Sequence, residues 1–265
     1  MHGLRRRPAQ DLTRQSRPNK LVMRVFGDPL SLILVMLIVV ALGVAALAGG
    51  ELYARHRATE VLKKAVECVS GDHASVSLGA RPFLLQLMTG NFSDIVIETG
   101  GSQLGKAKGM KMHMEIADVR LPSPGKPHGT VGSLNAEISW SNDGIKQTLQ
   151  ETIPVLRELI IAVTTTPSDG TIQMQAGPSK ITVRPQVTDG GLALQVLNFS
   201  NFGFTLPRES IQPQLDAFTS SATTNMPTGI HADSVQLTES GMTARFSARD
   251  TSIPVAQADP CFASL

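Results

Sequence analysis

The sequence predicts an α+β protein in which an N-terminal transmembrane helix precedes a domain of antiparallel strands and covering helices. Three observations lead to this fold class. Residues 30–48 form an uninterrupted apolar run, most segments after residue 74 alternate between apolar and polar side chains, and three later segments carry apolar residues at helical spacing. Strands with one apolar face, separated by turns that contain Gly and Pro, are typical of an antiparallel sheet.

The apolar run is long enough to cross a bilayer. Residues 30–48 contain no charged side chain and a single hydroxyl, that of Ser31. A helix of this length spans about 28 Å, which is close to the thickness of the hydrocarbon core. Seven basic and two acidic residues precede the run, and positively charged flanks stay in the cytoplasm.

This pattern predicts three parts: a basic cytoplasmic tail over residues 1–28, a transmembrane helix or signal anchor over residues 29–50, and an extracytoplasmic domain over residues 51–265. The protein would then be a single-pass protein of the plasma membrane whose main domain is periplasmic. A cleaved signal peptide is the alternative, since Ala46-Leu47-Ala48 resembles a small-residue cleavage site. The length of the apolar run and the long preceding tail favour an uncleaved anchor.

The net charge is divided unevenly along the chain. Residues 1–28 carry a net charge of +5 and the whole chain +2, which leaves −3 for the remainder. Nucleic-acid binding requires a basic face on the folded domain. The composition therefore argues against a nucleic-acid partner.

The two cysteines, Cys68 and Cys261, lie at opposite ends of the predicted extracytoplasmic domain. In an oxidising compartment, a pair placed in this way is most simply a disulfide. Two unrelated buried thiols are the alternative. No metal site is expected, because neither cysteine belongs to a cluster of metal ligands in the sequence.

Residues 51–69 continue with one apolar helical face and predict a helix that Gly71 ends. The strand predictions that follow cover residues 74–78, 92–98, 110–116, 134–140, 171–176, 180–187, 192–197, 234–237 and 242–248. In the clearest of them, Met110, Met112 and Met114 share one face with Ile116. The alternation slips at Ala117-Asp118, which suggests a bulge.

Three helices are predicted among these strands. Residues 82–88 begin with Pro in the first turn, residues 143–163 contain Pro154 as a bend, and residues 208–223 carry Pro213 near their start. Residues 109–122 and 241–254 also echo each other, with Gly-Met at the start, Asp at the tenth position and Pro at the end. A duplicated hairpin and coincidence both remain open as explanations.

The sequence contains no recognised catalytic motif. It has no Gly-x-Ser-x-Gly elbow, phosphate loop, His-Glu-x-x-His or Gly-x-Gly-x-x-Gly. His113 lies on the polar side of the Met-rich strand with Lys111 and Glu115, which indicates a solvated strand face. We therefore expect a protein that is not an enzyme and that needs no cofactor.

Residues 80–97, with the sequence ARPFLLQLMTGNFSDIVI, resemble the signature of the LmeA-like family of actinobacterial envelope proteins. Residues 109–122 and the later segment 204–207 match in the same order, and the resemblance covers roughly residues 60–255. It implies a TULIP-like lipid-binding domain, in which a curved antiparallel sheet is wrapped on helices. Between the sheet and the helices an apolar groove would hold a phospholipid.

The resemblance further implies a membrane-anchored periplasmic phospholipid-binding protein that acts in the maturation of cell-envelope lipids or lipoglycans of the lipomannan type. The lipid would be phosphatidylinositol-like, and an envelope glycosyltransferase is an implied partner. The candidate lipid-binding residues are Phe83, Leu84, Leu87, Met88, Phe92, Met110, Met112 and Met114. For each of them, plain core packing is an equally good interpretation. The alternative function is that of an accessory or scaffold protein of an envelope glycosyltransferase or transport complex that binds no lipid, and a lipid-modifying enzyme ranks third.

Overall fold

The computed structural model describes residues 29–122, 129–152, 160–223, 229–252 and 261. The predicted cytoplasmic tail over residues 1–28 lies outside the described residues. The chain divides into two compact units, one that ends at Gly50 and one that begins at Glu51.

A single helix, α1 (Pro29–Ser70), begins in the first unit and ends in the second. Its most apolar stretch has a mean hydropathy of 3.0 with none of its residues buried, so it is long and apolar enough to cross a membrane. A signal sequence near the N-terminus can also be long and apolar enough to meet this criterion. The helix ends as predicted at Gly71, which adopts a left-handed φ of 70° and donates its N–H to the carbonyl of Glu67 at 2.9 Å.

The remaining elements belong to the second unit. The strands are β1 (Ala74–Leu78), β2 (Asn91–Thr99), β3 (Gln103–Leu104), β4 (Ala107–Lys108), β5 (Met110–Arg120), β6 (Thr130–Ser141), β7 (Ile160–Thr166), β8 (Thr171–Ala176), β9 (Ser179–Thr188), β10 (Gly191–Asn201), β11 (Phe204–Thr205), β12 (His231–Thr238) and β13 (Gly241–Ser252). The helices are α2 (Phe83–Thr89), α3 (Asn142–Thr152) and α4 (Gln212–Thr223), the last preceded by a 3-10 turn over Arg208–Ser210. Each strand predicted from the alternation is present, and several extend beyond the predicted ends.

The strands form two large antiparallel sheets and a short ribbon. The first sheet has six strands in the order β1-β2-β5-β6-β13-β12, the second has five in the order β11-β10-β9-β8-β7, and β3 pairs with β4. Together with α1 to α4, these sheets confirm the predicted α+β class with large antiparallel sheets behind an apolar N-terminal helix.

Each large sheet has its own buried core. In the five-stranded sheet, Val183 and Val196 pack with Ile145 and Leu149 of α3 and with Leu215 of α4. Two of the three predicted covering helices therefore pack on the five-stranded sheet. The core of the six-stranded sheet consists of buried residues from four of its strands: Val119, Val131, Leu134, Ala136, Ala232, Ala244, Phe246 and Ala248.

One helix prediction was wrong at its end, over residues 160–163. Residues 143–163 were expected to form one helix bent at Pro154, but α3 ends at Thr152 and Ile160–Thr166 is strand β7, paired with β8. Pro154 itself lies outside the described residues. The run of β-branched residues from Ile160 to Thr166 favours an extended conformation, and the apolar spacing that suggested a helix serves to bury Ile160 and Val163 in the sheet.

The predicted slip in alternation on β5 is present, although its cause is not an inserted residue. Asp118 adopts a left-handed φ of 53°, while the pairs Ala117–Ser133 and Val119–Val131 on either side keep the same register. Asp250, the tenth residue of the echoed segment, has a φ of 47° and likewise lies between two pairs in unchanged register with β6. The two echoed segments are thus the two neighbours of β6, and both carry a left-handed aspartate opposite Gly132.

Candidate functional site

The candidate site lies on the apolar face of the six-stranded sheet. On β5, Met110, Met112, Met114 and Ile116 alternate with polar residues, as the sequence predicts. The register places Met112 opposite Ile138 of β6, Met114 opposite Ile97 of β2, and Ile116 opposite Ile95. These side chains therefore form one continuous apolar surface across three strands.

This surface is covered unevenly. Along β13, Ala244, Phe246 and Ala248 are fully buried. Nearer the other edge of the sheet, six apolar side chains remain only half-buried: Ile95, Ile97, Met110, Met112, Met114 and Ile116. We call these six residues the β2–β5 strip. A sheet face that is apolar and only partly covered by the protein can bury a further apolar ligand.

The strip also contains isoleucines that the sequence reasoning missed. Ile95, Ile97 and Ile116 were placed in predicted strands but not among the lipid-binding candidates. The alternation along β5 already placed Ile116 on the face of the methionines, whereas only the pairing of β2 with β5 shows that Ile95 and Ile97 share that face.

Helix α2 lies at one end of this sheet and divides the remaining candidates. Phe83 is buried, and its ring centroid lies 5.8 Å from that of Phe92, which is half-buried against the core of the sheet. Leu84 is half-buried. Leu87 and Met88 point outward, and Met88 exposes 85% of its surface. The structure thus does not bring all eight candidate residues into one lining.

The buried side of α2 carries one polar residue, Gln86, beside Phe83. Gln86 is buried, and its Nε2 donates to the carbonyl of Arg81 at 3.0 Å while its Oε1 accepts the N–H of Ser93 at 2.8 Å. These bonds satisfy the amide and attach α2 to β2. Gly90 ends the helix in a left-handed conformation and accepts the N–H of Leu121 at 2.9 Å.

Two charged residues of α1 hold the beginning of α2 and the end of β1. The carboxylate of Glu51 accepts the N–H groups of Phe83 and Leu84, the latter at 2.9 Å. Hydrogen bonds from the backbone of Leu84 and Phe83 hold the pKa of Glu51 below its ordinary value, and the nearby charge of Arg55 acts in the same direction. Arg55 donates to the carbonyls of Leu78 and Gly79.

Further along α1, the carboxylate of Glu67 accepts the N–H of Ala74 at 3.2 Å. Because Arg55 contacts the end of β1 and Glu67 contacts its beginning, this part of α1 runs antiparallel along the edge strand. The disulfide between Cys68 and Cys261, with Cα atoms 5.6 Å apart, ties the same stretch of helix to the C-terminal segment.

The opposite face of β5 is polar. His113 contacts Glu98 through Nδ1 at 2.9 Å and Glu115 through Nε2 at 3.3 Å, and all three side chains are well exposed. The hydrogen bonds to Glu115 and Glu98 raise the pKa of His113. Within the described residues, no group of three or more His, Cys, Asp or Glu side chains could hold a metal ion.

The two large antiparallel sheets, with their covering helices and an apolar N-terminal helix, define an α+β protein of the TULIP-like class. A family model, described as LmeA-like phospholipid-binding, matches residues 45–247 of this chain. The chain therefore belongs to the LmeA-like phospholipid-binding family.

Curated proteins similar to this chain include mycobacterial ones. The uncharacterized protein Mb0489c of Mycobacterium bovis and the uncharacterized protein Rv0479c of Mycobacterium tuberculosis are each 46% identical to this chain over 244 residues, which cover 91% of this chain and 70% of theirs. No solved structure matches the chain.

Proposed function

We propose that this protein binds a phospholipid on the β2–β5 strip while its N-terminal helix anchors it in the plasma membrane. The observation that supports this most directly is the strip itself, in which a row of apolar side chains remains half-buried beside a fully buried core. Membership of a phospholipid-binding family supports the same ligand class. The protein acts by binding and not by catalysis.

The mechanism is partition of acyl chains out of water. Burial contributes about 0.8 kcal/mol for each CH₂ group. The three methionines of the strip have flexible, unbranched side chains that adapt to acyl chains of different shape. The anchor keeps the binding face close to a membrane and so raises the local concentration of lipid.

The finer role that we propose is in cell-envelope lipid or lipoglycan maturation of the lipomannan type. In this proposal residues 51–265 are periplasmic, the lipid is phosphatidylinositol-like, and an envelope glycosyltransferase is the protein that receives or presents it. The seven basic residues before the apolar run support the periplasmic location of residues 51–265, because positively charged flanks stay in the cytoplasm.

Native mass spectrometry of the full chain, extracted in detergent from the envelope of the producing cell, tests lipid binding. We expect a stoichiometric phospholipid that organic extraction releases and identifies. Met112→Trp and Ile97→Trp would fill the strip and reduce the bound fraction, whereas Lys111→Trp, on the other face of the same strand, would not. An apo mass that stays unchanged after incubation with phosphatidylinositol vesicles would refute the proposal.

An accessory or scaffold role is the second candidate. Phe202, in the turn between β10 and β11, and Phe204, the first residue of β11, expose 77% and 75% of their surface. Exposed aromatic side chains are common where proteins associate. An apo mass together with co-purification of an envelope enzyme that Phe202→Ser and Phe204→Ser abolish would favour this role over lipid binding.

A further inference from the structure

We propose that the outward face of α2 docks into the surface of the membrane that holds the N-terminal helix. The docking face consists of Leu85, Leu87, Met88 and Leu121, all of which are exposed. The proposal rests on the membrane anchoring proposed above and adds a second, peripheral contact with the bilayer.

Helix α2 exposes more apolar surface than is expected for a helix in water. It buries Phe83 and the polar Gln86, whereas Leu85 and Met88 expose 58% and 85% of their surface. A helix on a soluble surface buries its apolar stripe and presents polar residues to solvent. The buried glutamine is fully bonded to backbone and to Ser93, so this arrangement is specific. An outward face of Leu and Met is suited to an apolar medium.

The contact between α2 and Glu51 indicates that this apolar medium is the membrane. The carboxylate of Glu51 binds the first two N–H groups of α2, and Glu51 follows the apolar run over residues 30–48 by three residues. A chain crossing the bilayer in that run brings Glu51 to the headgroup region, within about 5 Å along a helix. The beginning of α2 is therefore held at the membrane boundary.

Two arginines and a tyrosine near α2 also favour a membrane surface as the binding partner. Arg81 precedes the helix, Arg120 precedes Leu121, both are exposed, and neither forms an ion pair within the described residues. Exposed arginines beside an apolar face favour an anionic lipid surface. Tyr53, with 70% of its surface exposed, lies two residues after Glu51, and Tyr is enriched at membrane interfaces.

The test uses the full chain in vesicles of phosphatidylcholine and phosphatidylglycerol. Met88→Cys and, separately, Leu85→Cys are labelled with an environment-sensitive fluorophore, while Cys68 and Cys261 remain in their disulfide. Phe202→Cys, at a similarly exposed apolar position, is the matched control.

We expect a blue-shifted emission at positions 88 and 85, quenched by nitroxide lipids and protected from iodide, and water-like emission at position 202. Adding Leu85→Ser to the Met88→Cys chain should reduce the shift, and so should Arg81→Gln with Arg120→Gln. Water-like emission at positions 88 and 85 with free access of iodide would overturn the proposal. So would a shift that grows with protein density, because it would indicate contact between copies. Bound phospholipid is measured separately by native mass spectrometry, so failure of docking and failure of lipid binding are distinguishable.

Discussion

Asp118 and Asp250 adopt left-handed conformations in the middle of long strands, on the two sides of Gly132. Aspartate tolerates this conformation better than β-branched residues do. A Cβ at Gly132 would lie 2.8 Å from the Cβ of Asp118, which explains the glycine on the central strand. The two strands on either side of β6, β5 and β13, therefore share the same local backbone conformation at an aspartate, which agrees with the similarity between their sequences.

The left-handed conformation can be tested at Asp118. We expect Asp118→Val to lower the free energy of unfolding by about 1–2 kcal/mol, because a β-branched side chain is strained at this φ. Asp118→Gly should not destabilise the protein in this way. Denaturant unfolding of the full chain in detergent measures both. Lys111→Val, at an exposed position of the same strand with ordinary φ, is the control, and equal losses for the two valine variants would contradict the argument.

His113 provides a pH-dependent contribution to stability. Hydrogen bonds to Glu115 and Glu98 raise the pKa of His113 above its ordinary value of 6.5. The stabilisation is therefore fully present below pH 6.5 and is lost as the pH rises through the higher pKa of the folded state. Because these side chains are exposed, solvent screening keeps the effect small.

We expect an NMR titration of His113 to give a pKa above 6.5, and Glu98→Gln with Glu115→Gln to lower it. The loss of stability as the pH rises above 6.5 should become shallower in that double variant. A midpoint at or below 6.5 in the parent protein would refute the contacts described for His113.

At the scale of elements, α2 depends on a residue 32 positions earlier in the chain. Glu51 accepts the N–H groups of Phe83 and Leu84, which have no partner within the helix. A carboxylate at this position acts as an N-cap and also interacts favourably with the helix dipole. It thereby orients the face of α2 that we propose to dock on the membrane.

Replacement of Glu51 by Ala should loosen α2. We expect a lower local stability of the helix and faster hydrogen exchange at the amides of Phe83 and Leu84. The same amides should exchange faster in the parent protein as the pH falls through the lowered pKa of Glu51, after correction for intrinsic exchange. Glu60→Ala, on the same helix, serves as the control. Unchanged exchange in Glu51→Ala would show that the cap is dispensable.

For the whole molecule, the disulfide joins the end of α1 to a residue 193 positions away. Closing a loop of that length lowers the entropy of the unfolded chain, and the chain-entropy model gives about 5 kcal/mol. The bond also holds Cys261 beside the helix that runs along β1.

We expect Cys68→Ser with Cys261→Ser to unfold at a clearly lower denaturant concentration than the parent protein. Parent protein treated with a reductant should approach the double variant, while the double variant itself should not respond to the reductant. A parent protein with two reactive thiols in freshly isolated envelope, or one that reduction leaves unaltered in stability, would contradict the role assigned to the disulfide.

The sequence by itself determined the local features. The apolar run over residues 30–48, the strand at residues 110–116, and the cap at Gly71 follow from periodicity and backbone preference, which depend on near neighbours. The family signature at residues 80–97 supplied the TULIP-like fold and the ligand class. Of the predicted lipid-binding residues, Met110, Met112 and Met114 lie together on one half-buried face. Their contact with lipid stays a prediction.

The tertiary structure decided what depends on pairing between distant segments. The register of β2 against β5 places Ile95 and Ile97 beside the methionines. The pairing of β7 with β8 makes residues 160–163, the end of a predicted helix, part of a strand, and hydrogen bonds join Glu51 to α2. Burial decided that Gln86 faces inward and Met88 outward, although the sequence of α2 suggests an ordinary apolar helix. The spacing of apolar residues along the sequence shows which residues share a face of a helix or strand. Only the contacts between elements determine which face is covered.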